Sequence, residues 1–272
     1  MFIEPNETAY DLRWRMFGTP VRVHPLFWLI SLILGYDSAI RAGVGFVLAW
    51  VGCVFVSVLL HEFGHVWMGR LFGSHGHIVL YSFGGLAIGS NTLARRWQRI
   101  LVTFAGPFVQ LILLALLWLV KDAMAAVVPE GSRKSAALVW LMLFEINLLW
   151  PLLNLLPIWP LDGGQISREI CQGLLRERGT AVSLGISLVV SGVLAVHELM
   201  ASRGQPLLRL PFGLSGVLDI SLFRGEFVVR FPLLSSGDMF MAVFFALFCI
   251  SSFAALQAEN ERRRKWDNDE WT

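Results

Sequence analysis

Charged residues are scarce in this chain. Asp, Glu, Lys and Arg make up only 15% of the 272 residues, and 56% are hydrophobic, whereas about 25% charged is usual in a soluble domain. The formal net charge is only +2, and no basic surface of the kind that binds nucleic acid is indicated. We therefore expect the lipid bilayer to be a partner of this protein and expect no nucleic-acid partner.

Cysteine and histidine are also few. The three cysteines, Cys53, Cys171 and Cys249, contain no CxxC pair, so we expect no disulfide. A membrane di-iron oxygenase or desaturase needs several histidine boxes, and this chain has only six histidines in total. That class of enzyme is therefore a weak interpretation of the sequence.

Long apolar runs dominate what remains. A helix that crosses the bilayer needs about 20 apolar residues, and four runs of this kind contain no charged residue: 42–60, 100–120, 179–197 and 239–258. A fifth run, 136–161, is interrupted by Glu145 and by prolines, and a sixth, 23–36, is short. The pattern predicts an all-α polytopic membrane protein with about six transmembrane helices.

The sequence His61-Glu62-Phe63-Gly64-His65 follows the first of these strong runs. Residues four apart share one face of a helix, so His61 and His65 can present two imidazoles to one metal ion beside the Glu62 carboxylate. Satisfied core histidines are the alternative, but an ionisable cluster inside a membrane helix is costly and usually functional. The motif therefore predicts a zinc site with Glu62 as general base.

A catalytic zinc ion needs a third protein ligand and an open position. A metzincin would continue as HExxHxxGxxH, but Met68 and Leu71 stand where the glycine and the third histidine belong. The better candidate is Asp162, because prolines break the fifth apolar run and a helix can restart there. An aspartate at a helix start can also be a simple N-cap, but the following glycines and the depth in the membrane favour a ligand.

These two motifs together resemble the site-2 proteases, intramembrane zinc metalloproteases with HExxH on one helix and NxxPxxxxDG on a later one. The second motif is complete in residues 154–163, and shorter matches occur at 21–25, 83–85 and 105–107. One departure is Gln110, which stands where relatives often carry asparagine. The resemblance covers roughly residues 20–170.

The resemblance implies roles for particular residues and a class of substrate. His61, His65 and Asp162 would bind zinc, Glu62 would be the catalytic acid/base, and Asn154 would help to place the substrate. A small β-hairpin or re-entrant element after the HEFGH helix would pair with an unwound substrate near 83–87. The substrates would be single-span membrane proteins or signal-peptide-like segments, cleaved in or near the bilayer during regulated intramembrane proteolysis.

Zinc-bound water would then be the nucleophile, with Glu62 accepting its proton and returning it to the leaving amine. A membrane zinc transporter, or another metal-binding membrane protein, is the main alternative, and in a transporter Glu62 would be only another ligand or dispensable. An inactive, substrate-binding relative is a further alternative. The sequence leaves open the role of Glu145 and of the 198–238 loop, in which residues 218–231 could form a hairpin.

The distribution of basic residues predicts the orientation in the cell membrane. With six spans, most Lys and Arg residues fall on the side that holds both termini, which predicts that both termini are cytoplasmic. We expect four regions: a cytoplasmic N-terminal segment, a catalytic membrane core, C-terminal transmembrane helices with an intervening loop, and a charged cytoplasmic tail, at residues 1–22, 23–178, 179–258 and 259–272.

Overall fold

The structure is a computed structural model that describes residues 4–82, 84–207, 217–222, 225–230, 237 and 239–269. Three parts of the chain named in the sequence analysis therefore lie outside the described residues: Phe83, parts of the 198–238 loop and the end of the tail. The described part contains seven α-helices: α1 Pro25–Ala42, α2 Val44–Leu71, α3 Arg96–Val127, α4 Arg133–Asn154, α5 Asp162–Leu175, α6 Gly179–Ala201 and α7 Met239–Asp269.

Six short strands accompany the helices: β1 Leu12–Met16, β2 Thr19–Val23, β3 His77–Tyr81, β4 Gly84–Ile88, β5 Val217–Leu222 and β6 Gly225–Arg230. The first four form one sheet in the order β1-β2-β3-β4, with β2 and β3 parallel and the other neighbours antiparallel. The β3–β4 pair confirms the small β element predicted after the HEFGH helix. A two-stranded sheet of β5 and β6 lies where a hairpin was predicted.

Five helical stretches among the described residues are long and apolar enough to cross a membrane, judged by length and composition. They are 44–71, 96–124, 130–154, 162–201 and 239–265, and the predicted polytopic helical class is confirmed. The sixth predicted span corresponds to the shorter apolar stretch 25–35, so six spans remain a prediction.

The fifth predicted span, 136–161, extends too far at its C-terminal end. Helix α4 ends at Asn154, and α5 begins at Asp162. Between them the backbone is irregular, because Pro157 and Pro160 lack the amide hydrogens that a helix requires. The break and restart near Asp162 occur where the prolines predicted them.

The described residues form two compact units. One contains α1 to α3, most of α4 and the four-stranded sheet, and the other is built around α5, α6 and α7. The core of the first unit packs β2 and β3 against α1 and α2, with Val23, Phe27, Val58 and Ile78 each at most 1% exposed. The sheet thus rests on the helix that carries the HEFGH motif.

Ionic contacts tie the start of the chain to this sheet. The buried Arg22 guanidinium donates to the carboxylates of Asp11 at 3.2 Å and Glu4 at 2.8 Å and to the Pro5 carbonyl at 2.9 Å. Burial alone would raise the pKa of Asp11, but hydrogen bonds from Thr8 and Arg22 outweigh it and lower the pKa to about 2. Asp11 is therefore a carboxylate at neutral pH. Its contact with Arg22 links β2 to the segment that precedes β1.

Candidate metal centre

Helix α2 carries the three polar residues of the HEFGH motif near its C-terminal end. His61, Glu62 and His65 are 4%, 4% and 7% exposed, although each is ionisable. The apolar residues Val58, Phe63 and Val66 around them are at most 1% exposed. Burial of three such groups on one helix requires compensating partners.

The two imidazoles are oriented by hydrogen bonds at their Nδ1 atoms. His61 Nδ1 lies 2.9 Å from Gln110 Oε1, and His65 Nδ1 lies 2.8 Å from the Val102 carbonyl oxygen. Both partners are acceptors, so Nδ1 is the donor in each ring and Nε2 is the nitrogen that faces away from these partners. Metal-binding histidines are commonly fixed in this way, with the second ring nitrogen donating to a carbonyl or carboxyl oxygen.

The two Nε2 atoms lie 3.1 Å apart. Their ring planes lie nearly perpendicular, with centroids 4.8 Å apart. Two nitrogens bound tetrahedrally to one zinc ion would be about 3.3 Å apart. The spacing of the imidazoles therefore fits a shared metal ion.

Gly106 in α3 leaves the space that such an ion needs. A Cβ atom at this position would overlap the His65 ring and approach His61 Nε2 within 2.9 Å. Gly64 on α2 allows α2 and α3 to pack closely, because a Cβ there would lie 2.5 Å from the Ala105 carbonyl oxygen. The Ala105-Gly106-Pro107 match thus has a physical reason: only glycine allows α3 to pass this close to the imidazoles.

Gln110 is the residue of this site that sequence reasoning noted only as a departure. Its side chain is fully buried, with its Nε2 atom 3.4 Å from the Ser57 carbonyl oxygen. Ser57 Oγ in turn accepts a hydrogen bond of 2.8 Å from Asn147 Nδ2 in α4. The sequence signal for this network was the presence of three polar residues in apolar helices. Such residues are rarely placed in membrane helices without partners.

Replacing Gln110 by leucine is expected to weaken zinc binding by about 10- to 100-fold, the usual cost of removing a partner of a metal-bound histidine. Leucine leaves the His61 Nδ1 hydrogen without its acceptor, so the ring loses its fixed orientation. Competition against a chromophoric chelator measures the affinity. Gln110→Glu, which keeps an acceptor oxygen, is the control; equal affinity of Gln110→Leu and wild type would contradict this role for Gln110.

The Glu62 carboxyl lies against strand β4. A Cβ atom at Gly85 would overlap the Glu62 Cγ, Cδ and Oε1 atoms. Strand β4 is the last strand of the four-stranded sheet among the described residues, paired on one side with β3. The sheet therefore places an edge strand directly beside the candidate general base.

Asp162 is the first residue of α5 and is 8% exposed. The N-cap of this helix is Leu161, so the structure does not support the N-cap interpretation of Asp162. Gly163 and Gly164 bring the first turn of α5 against the preceding loop, because Cβ atoms there would overlap the carbonyls of Leu155 and Ile158.

All three predicted ligands are buried. His61 and His65 lie on α2 in one compact unit, and Asp162 begins α5 in the other; their joint binding of one zinc ion is a prediction. Asn154, predicted to place substrate, is the half-buried last residue of α4, and Glu145 is half-buried within the same helix.

His197 and Glu198 are fully buried in the last turns of α6, which ends at Ala201. A lone His-Glu pair in the sequence gave no signal for this burial.

Similarity to known proteins was found by sequence and by structure. The model of peptidase family M50 matches residues 49–137 and 121–197. A putative zinc metalloprotease of Synechocystis is 34% identical, over 57% of this chain and 42% of its own length. Putative zinc metalloprotease Rip3 of Mycobacterium tuberculosis is 32% identical, over 69% and 49%. A zinc metalloprotease of Methanocaldococcus jannaschii is 28% identical, over 66% and 52%.

The chain thus spans about half the length of these curated relatives. The solved site-2 protease from Methanocaldococcus jannaschii matches 91% of this chain and 95% of its own, with a TM-score of 0.55 and 22% identity. At that identity the likeness is one of fold. The matched family model covers more than half of the chain, including the HEFGH helix and the segment with Asp162. The chain therefore belongs to peptidase family M50, the family of the site-2 proteases.

Proposed function

We propose that this protein is an intramembrane zinc metalloprotease that hydrolyses peptide bonds in or near the transmembrane segments of membrane proteins. The observation that carries this proposal is the pair of His61 and His65 Nε2 atoms, 3.1 Å apart with both Nδ1 atoms facing acceptors. Two imidazole nitrogens at this spacing in a buried site suit two ligands of one zinc ion. Membership of peptidase family M50 and the zinc metalloproteases among the relatives support the same activity.

The donor set suits zinc. Two neutral imidazoles and one carboxylate, from His61, His65 and Asp162, match the His₂ and carboxylate ligands of catalytic zinc sites and leave a fourth position open. Zinc bound there would lower the pKa of a water molecule and polarise the scissile carbonyl group. Gly106 supports the assignment, because any larger residue would fill the space beside both Nε2 atoms.

Glu62 is the general acid/base in this proposal. Its carboxylate takes a proton from the attacking water and returns it to the amine that leaves when the peptide bond breaks. His61, the residue directly before Glu62 on α2, is one of the proposed ligands. Glu62 therefore lies on the same helical turn as a ligand, beside the proposed metal ion but not bound to it. Burial of Glu62 keeps bulk water from competing for the proton.

The substrate would bind as an added strand. A helical substrate hides its carbonyl groups in hydrogen bonds between residues i and i+4, so it must unwind before attack. Strand β4 lies at the sheet edge next to Glu62, and an edge strand can satisfy the freed backbone groups by strand addition. Single-span membrane proteins and signal-peptide-like segments are the substrates we propose, with Asn154 helping to place them.

N-methylation of the substrate backbone tests strand addition without altering the enzyme. Methyl groups on alternate amides next to the scissile bond are expected to reduce cleavage at least about tenfold, since each removes a hydrogen bond to β4. The measurement is the cleavage rate of such peptides in detergent. The control peptide carries the same methyl groups ten or more residues away; equal rates for both peptides would contradict pairing with β4.

The proposed function itself is tested on purified protein. Zinc is measured in the detergent-solubilised chain, and a panel of single-span peptides is incubated with it. One zinc ion per chain together with cleavage inside the apolar segment of a peptide is the expected result. Protein that binds zinc but cleaves no peptide of the panel, and moves zinc across proteoliposome membranes, would instead support a transporter.

The placement in the cell follows the distribution of basic residues. We propose a multi-pass protein of the cell membrane with both termini in the cytoplasm, since the side that holds the termini carries most Lys and Arg residues.

A further inference from the structure

Two buried serines on the C-terminal helices hold the backbone of the loop before Asp162. Ser187 in α6 and Ser252 in α7 are at most 1% exposed. The Trp159 amide donates to Ser187 Oγ at 2.6 Å, and the two serine hydroxyl oxygens lie 2.7 Å apart. Ser252 Oγ donates to the Trp159 carbonyl oxygen at 3.5 Å. Each hydroxyl can therefore accept once and donate once in a closed ring with the Trp159 backbone.

The short segment between Trp159 and Asp162 has little freedom of its own. The Leu161 amide donates to the Ile158 carbonyl at 2.8 Å, and the Gln165 amide donates to the Leu161 carbonyl at 3.0 Å. Gln165 Nε2 also donates to the Pro160 carbonyl at 3.3 Å. A displacement of Trp159 is therefore passed on to Asp162 rather than absorbed by the chain between them.

We propose that Ser187 and Ser252 are positioning residues, which fix Trp159 and thereby hold Asp162 where it binds the metal ion. This inference rests on the proposed function, because it takes Asp162 to be a zinc ligand. It gives the C-terminal helices, which carry no recognisable motif, a role in the metal site. Metal ligands must be held within about 0.5 Å of their productive position, which requires such supporting contacts.

A different role for the same serines would be to join the two helices. Serine hydroxyls commonly form hydrogen bonds between membrane helices, and the Ser187–Ser252 contact does connect α6 with α7. A hydrogen bond that only joins helices would not affect metal binding. The two bonds to the Trp159 backbone distinguish the positioning role, because they end on the loop rather than on a helix.

The experiment measures how fast zinc is lost from the full-length protein to excess chelator in detergent. Ser187→Ala and Ser252→Ala are each expected to lose zinc about tenfold faster than wild type, at the lower end of the effects of outer-shell partners. The double variant is expected to be no worse than either single variant, because both act through Trp159. Ser187→Thr keeps a hydroxyl group and is expected to restore slow release.

Ser191→Ala is the matched control. Ser191 is also fully buried in α6, but its hydroxyl donates to the Ser187 carbonyl within its own helix and does not reach the loop. Its zinc release is expected to equal that of wild type. Wild-type release from Ser187→Ala, or release from Ser191→Ala as fast as from Ser187→Ala, would overturn the positioning role alone. Failure of the wild type to bind zinc would overturn the proposed function as well.

Discussion

Replacement of Glu62 by glutamine is expected to reduce peptide cleavage by about 10²- to 10⁴-fold, the usual contribution of a general acid/base, while zinc stays at one ion per chain. Glutamine has the shape of glutamate and fits the same space against Gly85. It cannot take the proton of the attacking water or return it to the leaving amine. Because Glu62 is not one of the proposed ligands, metal binding should not change.

Cleavage rate and zinc content of the same preparation provide the measurement. Glu145→Gln is a suitable comparison, because it makes the same chemical change at a half-buried carboxyl group of another membrane helix, and near-normal cleavage is expected for it. Cleavage that survives Glu62→Gln would remove Glu62 from the mechanism. Zinc transport that survives in proteoliposomes, without cleavage by the wild type, would favour the transporter interpretation.

The helices of this fold were predictable because a bilayer imposes a simple length requirement on apolar runs. The runs 42–60 and 239–258 lie within α2 and α7 almost completely, and the structure extends each helix by about eleven residues at its C-terminal end. The strands β1 and β2 were not predicted. Each has only five residues, and the parallel pairing of β2 with β3 joins segments more than fifty positions apart, which no local pattern reveals.

The residues of the candidate site were also only partly predictable from the sequence. His61, Glu62 and His65 were predictable because a helix brings neighbouring residues of the sequence to one face. Gln110, which orients His61 from α3, and Ser187, which contacts the loop before Asp162, act across long stretches of sequence. The sequence indicated only that polar residues stand in apolar helices. Their partners required the packing of the helices to be known.

Replacement of Asp162 by alanine is expected to remove zinc and cleavage together. The substitution removes one of the three protein ligands of the proposed zinc site. The loss of zinc affinity should therefore exceed the roughly 100-fold loss that follows removal of a residue that only hydrogen-bonds to a ligand. Alanine also fits the buried start of α5, where the residue is 8% exposed and the N-cap is Leu161. The fold should therefore remain intact without the metal ion.

The measurement is zinc content after dialysis, together with the far-ultraviolet circular dichroism of the metal-free protein. Asp122→Ala, at an exposed aspartate of α3, is expected to keep both zinc and cleavage. Zinc retained by Asp162→Ala at wild-type affinity would show that the third ligand is another residue. Together with Glu62→Gln, this variant separates two roles, since loss of the base abolishes cleavage with the metal ion in place, whereas loss of the ligand abolishes cleavage because the metal ion is gone.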